Sequence, residues 1–171
     1  MKKSVAPPLK KPLGFEEICR LLPHRSPFLL VDSILEWEPR CRCVGLKNFS
    51  SGERFFHSSS GHVAVPGAFL IEAMAQVAGL LALESFEAPT GFFFLAHIER
   101  VRLRRAVEPG DQFLSEATLC SFRPSLFKTC VVARVDGHVV AQAKFSFAHA
   151  SASAASAAIL RDTIHAVQAQ G

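Results

Sequence analysis

An α+β domain, one antiparallel sheet wrapped around one long apolar helix, is predicted by three observations. The run from Ala68 to Glu84 is dominated by Ala, Leu, Met and Glu, all good helix formers, with a single Gly79 inside. Two strand-like segments precede this run and four follow it, separated by Pro and Gly turns. Finally, 171 residues with 49% hydrophobic and 20% charged side chains suit one globular core. A sheet and an apolar helix bury each other most economically as two layers. Such a sheet keeps an edge strand, which a second copy often covers.

In chain order, residues 1–13 are rich in Lys and Pro and read as a disordered basic leader. With no apolar stretch behind its lysines, the leader is not a secretory signal. The domain is expected over residues 14–148. Phe15, Ile18, Leu21 and Leu22 have helical spacing, and Pro23 ends that short helix. Phe28 to Trp37 suits a strand after Pro27, and Cys41 to Phe49 a second, with Pro39 turning between them. A Ser- and His-containing loop then breaks at Pro66-Gly67 and becomes the long helix. At about 1.5 Å per residue it spans roughly 25 Å. It is shorter than a membrane span and carries Glu72, so it belongs in a core.

After the Glu87 to Gly91 turn cluster, a long strand begins at Phe92. Phe92, Phe94, Ala96 and Ile98 alternate with Phe93, Leu95 and His97, which predicts both faces covered. Further on, Arg100, Arg102 and Arg104 fall on one side, with Arg105 adjoining. Gln112 to Phe122 is the next strand. Phe127 to Val135 and His138 to Phe147 form a hairpin about Asp136-Gly137, so the last four strands read as a meander. Residues 149–171 are an Ala/Ser-rich tail, frayed or partner-dependent.

Glu72, Ala75, Gln76 and Gly79 follow the i, i+3, i+4, i+7 pattern and share one face of the helix. A carboxylate among Leu, Ile, Phe and Met must be paired or protonated. A neutral carboxyl there is what a general acid needs; the plainer alternative is an Arg partner or solvent at a subunit boundary. Net charge is +4, concentrated in Lys2, Lys3, Lys10 and Lys11 and in Arg100 to Arg105. That is too local for nucleic acid, and an acidic protein partner suits it better. The five cysteines have neither disulfide nor zinc spacing and read as reduced core residues of a cytoplasmic protein. No histidine pair has metal-ligand spacing backed by a third ligand.

LLPHRSPFLLVD (Leu21 to Asp32), ERFF (Glu53 to Phe56), GHVAVPG-AFLIEAMAQVAGLLAL (Gly61 to Leu83), RVRLRRAVEPGDQ and VDGHVV stand in this order along the chain. Together these blocks resemble the 3-hydroxyacyl-acyl carrier protein dehydratases of the hotdog-fold superfamily. The resemblance covers roughly Phe15 to Ala148. It implies dehydration of (3R)-hydroxyacyl thioesters on acyl carrier protein to trans-2-enoyl thioesters, without metal or organic cofactor. It also implies a homodimer, or a hexamer of three dimers, with the site shared between two copies, a His of one facing a Glu of the other. Glu72 falls at the family's acid and Gln76 at its glutamine. Gly67 N–H falls at the group polarising the thioester carbonyl, with Val65 and Pro66 beside it on the substrate. The arginines 100, 102, 104 and 105 would dock the carrier.

The chain departs from the family at the histidine. The family motif reads G-H-F-P-G-H-P-x-M-P-G, with the first His catalytic; here the stretch is HSSSGHVAVPG. Counted back from Pro66-Gly67, His62 matches the second, non-catalytic His, and Ser58 stands where the base belongs. The loop between Phe56 and Gly61 is one residue shorter than in the family. The base is therefore His57 through a rebuilt loop, or His62, or absent. Serine cannot replace imidazole near neutral pH. His24 and Arg25 read as structural, His97 as packed or at an interface, and His138, His149 and His165 as solvated. Two other functions stay open: a degenerate subunit that binds acyl chains or carrier protein, and a hotdog thioesterase.

Overall fold

The computed structural model describes residues 12–53, 63–83, 91–123 and 126–151. Residues 1–11 of the leader, His57, Ser58, His62, the tail beyond Ser151 and His165 lie outside the described residues; Leu13, the leader's last residue, pairs with Ile34 in an antiparallel bridge. Two helices, α1 (Phe15–Leu21) and α2 (Gly67–Leu83), accompany six strands. These are β1 (Ser33–Glu38), β2 (Arg42–Asn48), β3 (Gly91–Leu103), β4 (Gln112–Arg123), β5 (Leu126–Val135) and β6 (His138–Ser151). They form one antiparallel sheet in the order β1-β2-β4-β5-β6-β3, and α2 packs against β2 to β6. This is the α+β hotdog architecture.

β5 shows the expected half-buried strand most cleanly, alternating along its whole length between partly and fully buried residues. The β5–β6 hairpin turns on Asp136 and Gly137, both at positive φ, the conformation a two-residue turn between twisted strands requires. Leu70, Met74, Val77, Leu80 and Leu81 of α2 are buried against the sheet. The helix comes close because Gly45 of β2 carries no side chain. A Cβ there would lie 2.4 Å from Val77 Cγ2.

Four strand expectations need correction. The last four strands are not a meander, because β3 crosses to the far edge beyond β6 and β4 pairs with β2. The first strand begins at Ser33, not Phe28; in the preceding loop, Gln76 rather than a neighbouring strand satisfies the backbone at Phe28 and Leu30. β6 runs past Phe147 to Ser151. β3 is not covered on both faces. As the edge strand it leaves Phe94, Leu95 and Ile98 exposed in the single chain, as is His97.

The cysteines also differ from the reading. A β-bulge between Leu119 and Ser121 shifts Cys120 out of register and towards Cys130 of β5, and the two form a disulfide. Cys41 is exposed, because Arg40 at φ 59° turns the chain before β2 begins. Cys19 is partly buried. Only Cys43 fits the core assignment, and burial pushes its thiol up to about 12. His149 lies within β6, partly buried, rather than in a solvated tail.

Candidate active site

The helical face predicted from spacing is the floor of a cavity. Glu72, Ala75, Gln76 and Gly79 all line a space of about 430 Å³, walled by Leu21, Leu22, Phe93, Phe94 and Phe147. Phe93 stacks on Phe147 with ring centroids 5.6 Å apart. Small residues at 75 and 79 leave the space open; larger ones would fill it. A second cavity of about 400 Å³, bounded by Phe28, Ala68 and Phe69, meets the first at His24 and Glu72.

Gln76 is held at both ends of its amide. Its Oε1 accepts from Leu30 N–H at 2.8 Å. Its Nε2 donates to Phe28 C=O at 2.7 Å and to Glu72 Oε1 at 2.8 Å. The first two bonds orient the amide so that an N–H points at the acid. Glu72 is thus paired with an amide and, at 3.4 Å, with His24 Nε2; among the described residues no arginine reaches it. Its side chain is 42% exposed in the single chain, so the expectation of a deeply buried acid is too strong. The alternative of an acid reaching solvent at the domain's surface is nearer the geometry.

Gly67 begins α2, whose first N–H groups have no acceptor within the helix and whose dipole end is positive. A Cβ on Gly67 would lie 2.5 Å from Leu103 Cδ1, so a side chain there would have to push the exposed Leu103 aside where the helix meets the end of β3. Val65 just ahead is buried, its N–H bonded to Val107 C=O at 2.7 Å, while Pro66 is exposed. Val65, Gly67, Leu103, Arg104 and Arg105 border a third cavity of about 310 Å³.

The arginines only partly follow the predicted alternation. A bulge between Glu99 and Arg102, with Arg100 at φ 52°, takes Arg100 out of the series. Arg104 lies one residue past the end of β3 and donates from Nε and Nη2 to Gln142 Oε1. Arg100, Arg102, Arg104 and Arg105 are all exposed.

Two features escaped the sequence reading. His24 stands beside the acid, a contact between residues far apart in sequence that no local spacing signals. Lys47, buried on β2, bonds Asp32 at 3.2 Å and Glu53 at 2.7 Å, and so pins the chain shortly before His57 in the sequence. Asp32 also accepts from Asn48 N at 2.7 Å, which makes it a structural clasp between β1 and β2. Elsewhere on the sheet, Arg42 bridges Glu36 and Glu116, and this pairing holds the Glu116 carboxyl below its usual range.

A protein-family model described as FabA-like domain matches residues 22–144. The 3-hydroxyacyl-[acyl-carrier-protein] dehydratase FabZ of Bacillus cytotoxicus is 41% identical over 137 residues, 80% of this chain and 95% of the relative. The enzyme of that name from Bacillus thuringiensis is 40% identical over the same shares. Among solved structures, the dehydratase heterocomplex ApeI:P of Xenorhabdus doucetiae superposes with a TM-score of 0.66 at 21% identity, covering 79% of this chain and 91% of that one. A mutant of thioesterase PA1618 from Pseudomonas aeruginosa gives 0.64 at 9% identity, covering 80% and 94%, which speaks for fold alone. The matched family model and the identity shared with these relatives along most of both chains place the protein in the FabA-like family, among the 3-hydroxyacyl-[acyl-carrier-protein] dehydratases of the FabZ type.

Proposed function

We propose that this chain dehydrates (3R)-hydroxyacyl thioesters, carried on acyl carrier protein, to trans-2-enoyl thioesters. The observation that carries the proposal is Glu72, held by Gln76 at a cavity whose walls are mostly apolar. An acyl chain suits such walls, and one carboxyl at their rim suits a hydroxyl to be expelled. A histidine base, His57 by our assignment, takes the C2 proton. The thioester enolate that forms is stabilised by Gly67 N–H and the positive end of α2. Glu72 gives its proton to the C3 hydroxyl, which leaves as water, and the C2–C3 double bond forms.

The carrier docks on the basic surface where β3 ends. Arg104 and Arg105 border the cavity at the start of α2, so a carrier seated there has a short path for its arm towards Gly67. Arg102→Glu combined with Arg105→Glu avoids the Gln142 bonds of Arg104. The double variant should raise KM for a carrier-bound substrate by roughly tenfold at low salt, less so at high salt. A short pantetheine thioester should turn over as before. Equal loss on both substrates would mean the arginines serve the fold instead.

The working unit is a homodimer in the cytoplasm, joined along β3. That edge presents Phe94, Leu95, Ile98, Val101 and Leu103 together, each more than a third exposed in the single chain. A second copy would cover both the apolar side chains and the unpaired backbone edge. Ile98→Arg should convert a sedimenting dimer to monomer and reduce activity with it, since the family's site is shared by two copies. A parent protein that sediments as a monomer at assay concentration would overturn this assembly. Among the described residues no helix is long and apolar enough to cross a membrane.

A further inference from the structure

We infer that His24 is a positioning residue for the acid, an inference that rests on the dehydratase reading. Two nitrogens from different elements face one oxygen: Gln76 Nε2 donates to Glu72 Oε1 at 2.8 Å, and His24 Nε2 lies 3.4 Å from the same oxygen, a longer contact. The turn that carries His24 is itself clamped. Arg25 Nη1 donates to Leu22 C=O at 2.8 Å and to His24 C=O at 2.7 Å, which gives the neighbouring arginine a structural task. The imidazole therefore reaches the acid from a braced backbone.

The other ring nitrogen fixes the direction of the bond. His24 Nδ1 is buried and has no hydrogen-bond partner among the described residues. A neutral imidazole has one N–H and one bare nitrogen. An N–H on Nδ1 would be buried unpaired, and it would leave the Nε2 lone pair facing a carboxyl oxygen that already accepts from Gln76. With the proton on Nε2, the ring donates to Glu72 and the repulsion disappears.

This arrangement also separates His24 from the role of base. Nε2 is engaged by Glu72 and Nδ1 is buried, so neither nitrogen is presented to a substrate carbon. Its effect is on the carboxyl. With Oε1 bonded to Gln76 and flanked by the His24 ring, rotation of the carboxyl is restricted, and Oε2 is the oxygen left to carry the proton for the departing hydroxyl. His24 and Glu72 together mark the junction of the two cavities, where the reacting carbons would pass. A carboxyl swung away from that point would still bind substrate but would deliver its proton poorly.

The test compares the parent with His24→Ala and His24→Gln, using carrier-bound 3-hydroxyacyl substrate and reading kcat and KM separately. His24→Ala should lower kcat by roughly tenfold, the order of one lost hydrogen bond, with KM within about twofold. His24→Gln places an amide N–H near the position of Nε2 and should regain most of the lost kcat. An unchanged kcat in the alanine variant, or no recovery with glutamine, overturns the inference. If the alanine variant does not fold, the glutamine variant decides: near-parent kcat is expected, and a loss as large as tenfold overturns the role. Nitrogen-15 NMR of the labelled parent should show His24 as the Nε2–H tautomer, with its Nε2 resonance displaced by Glu72→Gln. An Nδ1–H tautomer, or no displacement, overturns the contact. This reading needs no turnover, so a parent that makes no enoyl product would sink the dehydratase proposal while the His24 contact is still decided.

Discussion

Glu72→Gln is expected to lower enoyl-thioester formation by a factor of roughly 10² to 10⁴, the range for loss of a general acid. The fold should survive. The substituted side chain has the same length, sits half-exposed, and offers an amide oxygen to the same Gln76 N–H. What it cannot do is release a proton to a leaving hydroxyl. The measurement is single-turnover appearance of the conjugated enoyl thioester, with the melting temperature followed in parallel. A melting shift of more than about 5 °C would show that the variant was reporting on stability. A rate within threefold of the parent in a well-folded variant would remove Glu72 from the mechanism.

His57→Ala should cost roughly 10² or more in rate, as for loss of a general base, and His62→Ala distinctly less. The argument is one of chemistry and tether. Removing a proton beside a thioester carbonyl at neutral pH needs a neutral base, and imidazole is the side chain suited to it. His62 stays close to Pro66-Gly67, where the family's corresponding histidine is not the base. His57 follows, in sequence, a segment pinned by the Lys47–Glu53 ion pair at 2.7 Å. Both variants are to be assayed with the parent at one pH. The reverse ranking would make His62 the base. A parent inactive on every 3-hydroxyacyl carrier substrate would mean that the shortened loop has lost its base, and a binding role for the chain would then lead.

The legible parts of the molecule were those written in short-range pattern. The face formed by Glu72, Ala75, Gln76 and Gly79 follows from helical geometry alone, and all four line one cavity. Asp136-Gly137 announced its turn for an equally local reason. What was not legible depends on partners far away in the chain. Nothing near Phe28 says that its carbonyl will be taken by Gln76, so the loop read as strand. Nothing near His24 says that its ring will meet Glu72. Regular alternation also hid two irregularities. One extra residue in β3 displaces Arg100 from its row, and another in β4 carries Cys120 towards Cys130. A bulge has almost no signature in a single sequence, because any residue type can occupy it.

The glycines along α2 set different limits on any attempt to retune acyl selectivity. At Gly45 an added methyl would collide with the buried Val77, so the seat of the helix on β2 has no slack for adjustment, while at Gly67 it would displace the exposed Leu103. At Gly79 an added Cβ would meet only Phe147, at an ordinary 3.8 Å, with the cavity beyond it. A designer wanting a shorter or longer pocket would therefore leave the helix where it lies and vary residue 79 and the opposing phenyl wall. Substrate length becomes adjustable without touching the bonds that aim the acid.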